Sequence, residues 1–388
     1  MEPGGMTMLA RLVIENFRSF RNRTVIDLTK TQYAALAETN THNGLVKGLV
    51  LVGGNASGKS NILAAVRLLL DLLFLERQMD NPLLLCLFAD SKEFSVEYVF
   101  RVDGHEIEYK IINNVEKEVL GEELVVDGKG VLYRMGSAAR ASIGGPEKQY
   151  AEKEVGAKTL FLRTLFFNTG FASDEVLKRW FQFLQNSVYY NAFERTPVSY
   201  GNKKLDAFRF LEGQGAREIS DFFETHGMKQ KIEYSKEVQT DRVRISFEEG
   251  KVPFFRREDC DIVIPYPEES LGNRLLLHFL PCYLTVMNSS GLLLVDEFSS
   301  GFHNDLEELL IREWMKTAND SQLIAVTHST NLLSTSLLRP DQIYSVSFAD
   351  REGSRVKRFS EEAPRVAQNL EKMYRSGVFG GIPAYELN

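Results

Sequence analysis

LVLVGGNASGKS, residues 49–60, is a run of four apolar residues that breaks into glycines and ends in a lysine and a serine. Such a short apolar run reads as a strand buried on both faces, feeding the loop behind it. The segment Gly53-Gly54-Asn55-Ala56-Ser57-Gly58-Lys59-Ser60 fits the pattern G-x-x-x-x-G-K-[ST]. Its glycines let the backbone wrap a phosphate with several N–H groups pointing inward, and the following helix adds the positive end of its dipole. Lys59 is then placed for the β- and γ-phosphates and the Ser60 hydroxyl for Mg2+. The implied ligand is ATP with its magnesium ion. Residues 60–77 read as a helix, with Arg67 and Asp71 spaced i,i+4 on one face.

A second apolar run, Leu292-Leu293-Leu294-Val295, ends in Asp296-Glu297. A buried strand that delivers two carboxylates to the carboxyl edge of a parallel sheet delivers them where ligands bind in such folds. Asp296 is suited to hold Mg2+, and Glu297 to polarise an attacking water as general base. A third strand, in LIAVTHSTNLL, ends at His328, with Thr-His-Ser opening a helix over residues 330–338; the imidazole there can reach the γ-phosphate or orient the water. A fourth stretch, Glu269-Ser270-Leu271-Gly272-Asn273-Arg274, opens the apolar helix of residues 270–288. Ser270 at that position caps the helix, and a Ser-x-Gly helix N-terminus is also an anion site.

The rest of the chain organises around these four stretches. Residues 11–28 alternate apolar and polar about a central turn and read as a hairpin; period two returns over residues 94–134, with DG and DGKG breaks typical of antiparallel hairpins. Residues 137–148 are a small-residue loop, expected to be mobile; residues 157–230 read as mostly helical, with aromatic-rich faces; residues 231–264 return to strands. Beyond these come strands at 291–295 and 322–327, a helix at 305–317, and a terminal hairpin in IYSVSFADREGSRVKRF. Alternating strands and helices indicate a parallel sheet. The expected division is residues 1–90 and 265–388 as two parts of one phosphate-binding unit, 91–156 as an antiparallel region, and 157–264 as helices and strands that dock a partner.

Composition narrows the class. The 388 residues are 44% hydrophobic and 26% charged with a formal charge of -7, an ordinary soluble balance that argues against a chain coating nucleic acid non-specifically. Cys86, Cys260 and Cys282 show no metal or disulfide spacing, as expected in a reducing cytosol. The N-terminus lacks an apolar signal core, and Ile62–Leu75 is broken by Arg67 and Asp71, so a cytoplasmic protein without membrane partners is expected.

The ordered set of NFRSF (Asn16–Phe20), phosphate loop, ESLGNR, DEFSSGFH and the switch-type His328 resembles the ABC ATPase superfamily in its SMC-like branch. More closely, it resembles the compact bacterial AAA-type proteins related to OLD-family and abortive-infection ATPases, whose signature reads like E-S-x-G-T-x-R and whose endings resemble LEKMYRSGVFGGIP here. The likeness covers about residues 1–60 and 265–388. Asn273 replaces the usual Thr, Phe302 stands where Leu is common, and the glutamine that senses Mg2+ has no clear counterpart. The resemblance implies an α/β ABC-type head with a mixed or antiparallel N-terminal sheet, a parallel core sheet, a helical insertion and no long coiled coil. It implies ATP hydrolysis, Arg18 near the nucleotide, and Ser270 and Gly272 completing the site of the opposite subunit in a homodimer or higher even oligomer. It also implies the ATPase or sensor component of a bacterial anti-phage defence system that controls a separately encoded effector, a nuclease or toxin, or alternatively a DNA-repair or recombination ATPase that clamps DNA, or a nucleotide-dependent scaffold. The basic positions Arg18, Arg21, Arg23, Lys203, Lys204, Arg256 and Arg257 are the candidates for nucleic acid.

Lys59→Ala removes the cation placed against the β- and γ-phosphates. Calorimetric titration is expected to find no ATP binding by that variant; affinity equal to the unaltered chain would overturn the phosphate-loop assignment.

Overall fold

The computed structural model describes residues 6–382 apart from 76, 80–81, 144–148, 172–173, 202, 204, 240–243, 249 and 261. Two large sheets organise these residues. One is antiparallel and eight-stranded; from edge to edge its strands are Gln149–Glu152, Ala138–Ser142, Lys129–Met135, Val119–Val126, His105–Asn114, Glu93–Val102, Thr7–Glu15 and Thr24–Asp27. The second has seven strands in the order Thr196–Ser199, Val188–Asn191, Leu292–Asp296, Gln322–Val326, Gly48–Gly53, Ile343–Phe348 and Ser354–Arg358. Its five inner strands are parallel and its two edges antiparallel.

Side-chain alternation splits the core in two. Leu49, Leu51, Leu292, Leu294, Ile324 and Val326 face the antiparallel sheet and the helices Lys59–Phe74, Phe161–Thr169 and Glu175–Gln185. Val50, Val52, Leu293, Val295, Leu323 and Ala325 face the helices Leu271–Met287, Asn304–Thr317 and Gly215–Thr225. Covering both faces is what the unbroken apolar runs require. The helix Lys59–Phe74 buries Ile62, Leu63, Val66, Leu69, Leu70 and Leu73, each worth about 1.5–3 kcal/mol. The Arg67–Asp71 pair stands at 3.7 Å, and such pairs contribute about 0–1 kcal/mol. Apolar burial therefore holds this helix. Asp71 bonds more closely to Arg77 at 2.6 Å and to the Tyr200 hydroxyl at 2.8 Å.

Three expectations need correction. Residues 157–230 are not uniformly helical: Val188–Asn191 and Thr196–Ser199 are strands that extend the core sheet beside Leu292–Asp296. The β-branched and aromatic run Val188-Tyr189-Tyr190 suits a strand, and Pro197 is tolerated because its strand lies at the edge. Residues 330–338 form turns rather than a helix. Hydroxyls there compete for the backbone, as Ser334 Oγ accepts from the Ser336 N–H, while Leu332, Leu333, Leu337 and Leu338 still reach the core. Within the loop expected at 137–148, Ala138–Ser142 is a paired strand and 144–148 lie outside the described residues. The hairpin of residues 11–28, the strands of 94–134 and the terminal hairpin are as expected. The longest helix among the described residues is 17 residues, far short of a coiled-coil arm.

One buried ion pair joins the antiparallel sheet to the first helix beyond it. Glu122 and Arg134, both wholly buried, meet at 2.9 Å. Glu122 also accepts from the Tyr109 hydroxyl and the N–H groups of Phe161 and Leu162, at the positive end of helix Phe161–Thr169. Glu122→Ala strands a buried guanidinium and two helix N–H groups. Urea unfolding is expected to show a loss of about 3–5 kcal/mol; a loss under about 1 kcal/mol, the size of an exposed pair, would contradict this account.

Candidate functional site

The phosphate loop is shaped by what packs behind it. Gly53 has φ 155° and Gly58 has φ 106°, both unfavourable for residues with a Cβ. A Cβ on Gly53 would lie 2.2 Å from the Val346 carbonyl oxygen, and one on Gly58 2.2 Å from Ser354 Oγ. Ser354 Oγ bonds to Ser57 O and Ser19 Oγ, each at 2.7 Å, and Asn61 Nδ2 donates to Ser19 Oγ at 2.7 Å. The Gly54 N–H is bound to the Gly381 carbonyl at 2.9 Å. Segments from both ends of the chain thus clamp the loop from outside.

Residues 55–61, Glu297 and His328 enclose a cleft of about 810 Å³. Gly53 and Gly54 line a smaller adjoining hollow with Tyr374 and Arg375. Lys59 is buried, and its ammonium donates to the carbonyls of Gly53 at 3.0 Å and Gly54 at 2.7 Å. Ser60 Oγ donates to Asp296 Oδ1 at 2.9 Å, joining the two motifs at one point. Glu297 follows with φ 58°, a left-handed conformation that turns the chain sharply off the strand end. Its carboxylate stands 3.6 Å from His328 Nε2 and 3.5 Å from Ser300 Oγ. The backbone N–H of His328 in turn donates to Ser299 Oγ at 3.2 Å. A carboxylate, an imidazole and a lysine therefore face one polar cleft, an arrangement that can position a water against a bound phosphate.

Burial raises the Asp296 carboxyl above the ordinary carboxylate range, with Glu297 adding and the Ser60 hydrogen bond opposing. Burial likewise lowers the Lys59 ammonium, while Glu297 and Asp296 oppose the shift. Both shifts have one origin, because desolvation disfavours whichever form is charged. No group of three or more His, Cys, Asp or Glu side chains is arranged for a metal among the described residues. Ser60 and Asp296 fit a divalent ion only where phosphate oxygens supply further ligands, which is the usual phosphate-loop pattern.

Other expected residues stand elsewhere. Arg18 lies in a neighbouring pocket of about 450 Å³ with Arg67 and Arg77, and its Nη1 donates to Asn61 Oδ1 of the cleft at 3.3 Å. Burial, then repulsion from Arg67, holds its guanidinium below the ordinary arginine value. Ser270 and Gly272 do not line the cleft of their own chain. Ser270 is exposed and caps helix Leu271–Met287 by accepting from the Asn273 N–H. A Cβ on Gly301 would meet Leu275 Cδ1 at 2.1 Å, so the turn that reaches His328 through Ser299 also packs on this helix. His303 is exposed and caps helix Asn304–Thr317. Arg256 pairs with Glu233, Arg257 with Glu269, and Lys203 bonds to Ser289, which ties up three basic candidates; Lys204 lies outside the described residues.

Sequence reading missed three contributors. Asn61 lines the cleft and bonds to both Ser19 and Arg18. Ser354 packs on Gly58 from almost three hundred residues away. Asn191 lies opposite Asp296 in the parallel register, with its Oδ1 accepting from the Glu194 N–H at 2.9 Å. No local pattern marks the last two; the signal for Asn61 is only its adjacency to the lysine and serine.

A family model described as "AAA domain, putative AbiEii toxin, Type IV TA system" matches residues 49–169 and 254–334, just over half of the chain. No curated protein matches. Among solved structures, the SMC head domain from Thermotoga maritima is 14% identical with a TM-score of 0.49, covering 90% of this chain and 97% of that one. The Smc head domain from Pyrococcus furiosus, bound to the C-terminal domain of ScpA, has the same identity and score, with 96% and 98% covered. No helix among the described residues is long and apolar enough to cross a membrane.

Asp296 also yields a stability test. Its folded-state pKa is raised, so its contribution is present in full below the unfolded pKa and is lost as pH rises through the folded value. Asp296→Asn removes that loss while keeping an acceptor for Ser60. The nucleotide-free variant is expected to melt higher than the parent at pH 8, with the gain shrinking towards pH 4. A variant that melts lower at pH 8 would contradict the buried-charge account.

Proposed function

The chain belongs to the AAA-domain family whose model spans its phosphate loop and acidic strand, and from that membership we propose that it is an ATP-driven switch which hydrolyses ATP and controls a separately encoded effector. The observation that carries the reading is the 2.9 Å hydrogen bond from Ser60 to Asp296, with Glu297 and His328 across the same cleft.

Backbone N–H groups of residues 55–60 and the dipole of helix Lys59–Phe74 cradle the triphosphate. The Lys59 ammonium leaves its two carbonyl partners for the β- and γ-phosphates. Ser60 and Asp296 would hold Mg2+, which supplies charge neutralisation at the phosphates. Glu297 draws the proton from the attacking water, and His328 orients that water or the γ-phosphate.

Ser270 is exposed at the start of its helix and outside its own cleft. Two chains related by a two-fold axis give each Ser270 a site to complete, with two ATP molecules held at an isologous interface. Contacts to both subunits make ATP the adhesive, and hydrolysis releases them. The turn 299–301, touching His328 on one side and the Ser270 helix on the other, ties chemistry to closure. The family's description names a "putative AbiEii toxin" of a type IV toxin–antitoxin system, a setting that favours action together with a separately encoded partner. The ion-paired state of Arg256 and Arg257 weighs against the alternative of a DNA clamp.

The test is a mixture of Ser270→Arg and Lys59→Ala chains, each inactive alone. Their heterodimer carries one site lacking both elements and one complete site. ATPase activity restored on mixing supports sharing between subunits. Absence of restoration, with heterodimers demonstrated, supports sites confined to one chain or strict coupling of both sites, and full activity of a monomeric Ser270→Arg chain overturns the shared-site reading.

A further inference from the structure

Glu269 is a buried carboxylate, 5% exposed, immediately before the exposed Ser270. One oxygen accepts from the Ser270 backbone N–H at 2.7 Å and from Asn273 Nδ2 at 3.1 Å. The other accepts from Arg257 Nη2 at 2.7 Å. Asn273, whose own N–H is capped by Ser270 Oγ, also exchanges amide contacts with Gln230 at 3.3 and 3.4 Å. Gln230 and Arg257 are directly paired residues of two antiparallel strands, Gln230–Ser235 and Val252–Arg257, which form a small sheet with Ile262–Pro265. One end of this sheet therefore grips the Ser270 turn at two points.

An ordinary N-cap needs only the serine hydroxyl. Burying a carboxylate beside it is costly unless the charge is paired and its lone pairs are satisfied, and here they are. The cost is justified by position: without Arg257, the Glu269 charge would sit uncompensated next to the N–H of the residue that meets a phosphate from the other subunit.

We propose that Arg257 and Glu269 are positioning residues that hold Ser270 in register for the opposite subunit's ATP, making the small sheet of Gln230–Ser235, Val252–Arg257 and Ile262–Pro265 the element that regulates site completion. This rests on the shared-site reading above. Asn273, at the place where Thr is common in similar signatures, is the second anchor of the same sheet through Gln230. A displacement of the sheet moves Ser270 without touching the phosphate loop of its own chain.

The experiment is a double-mutant cycle on the full chain, reading kcat and KM for ATP. The variants are Ser270→Ala, Arg257→Met and their combination, with Arg257→Lys as the conservative replacement and Glu269→Gln as a second entry point should Arg257→Met fold poorly. The expected result is a drop in kcat of about ten- to a hundredfold for Arg257→Met, the scale of a misplaced group, with KM and ATP binding unchanged. Arg257→Lys, which keeps the cation, retains more turnover. The combined variant is no slower than Ser270→Ala alone, because a residue acting through Ser270 has nothing left to position. If Ser270→Ala slows turnover but Arg257→Met and Glu269→Gln do not, or if their losses multiply with that of Ser270→Ala, the positioning role is overturned and the shared site stands. If Ser270→Ala is itself silent, the shared-site reading falls and the positioning role falls with it.

Discussion

The hydrogen bond between Ser60 and Asp296 joins residues 236 positions apart in the chain, and the candidate site exists only where that bond can form. It requires three parallel strands, Gly48–Gly53, Gln322–Val326 and Leu292–Asp296, to lie side by side with their carboxyl ends level. The register does this, pairing Val50 with Ala325 and Ala325 with Val295. A slip of one residue would send every side chain to the wrong face. The two apolar layers, one behind Leu49, Leu294 and Ile324 and the other behind Val50, Val295 and Ala325, hold the register against such a slip.

Given that frame, the phosphate loop takes its shape from elements that bind no phosphate. Val346 and Ser354, from the terminal hairpin, and Ser19, from the N-terminal turn, fill the space that Cβ atoms on Gly53 and Gly58 would need. Gly381 holds the Gly54 N–H. These braces lie outside the residues matched by the family model. The loop's N–H groups are therefore pre-arranged by tertiary packing, which lowers the reorganisation needed when an anion enters.

The site's charges work against the fold's stability. Burial destabilises the ionised forms of both Asp296 and Lys59, and each is compensated only in part, by Ser60 and by backbone carbonyls. By contrast, the wholly buried Glu122–Arg134 pair has its charges paired and its carboxylate bonded on both oxygens. The difference lies in access. Glu122 and Arg134 are sealed, whereas Lys59, Glu297 and His328 face an open cleft, so their incomplete bonding leaves them free to act on what enters.

Local physics alone determined much of this protein. The glycines and lysine of residues 53–60, the apolar runs ending in Asp296-Glu297 and before His328, the helix opened by Ser270 and the hairpins of residues 94–134 are each written in consecutive residues, because turns, caps and period-two alternation are short-range effects. Tertiary structure decided what depends on distant partners. Val188–Asn191 became a core strand because Leu292–Asp296 offered it a parallel edge, which a reading of aromatic periodicity could not register. Residues 330–338 lost their helix to competing hydroxyl contacts while their leucines found the core in turns. Arg18 was drawn into a pocket with Arg67, Asn191 was set opposite Asp296, and Arg257 was turned from a surface cation into the partner of Glu269. Apart from the Ser334–Ser336 contact, two residues apart, and the Arg257–Glu269 pair, twelve apart, these follow from contacts tens of residues or more apart, whose energies depend on a register that no local stretch of sequence encodes.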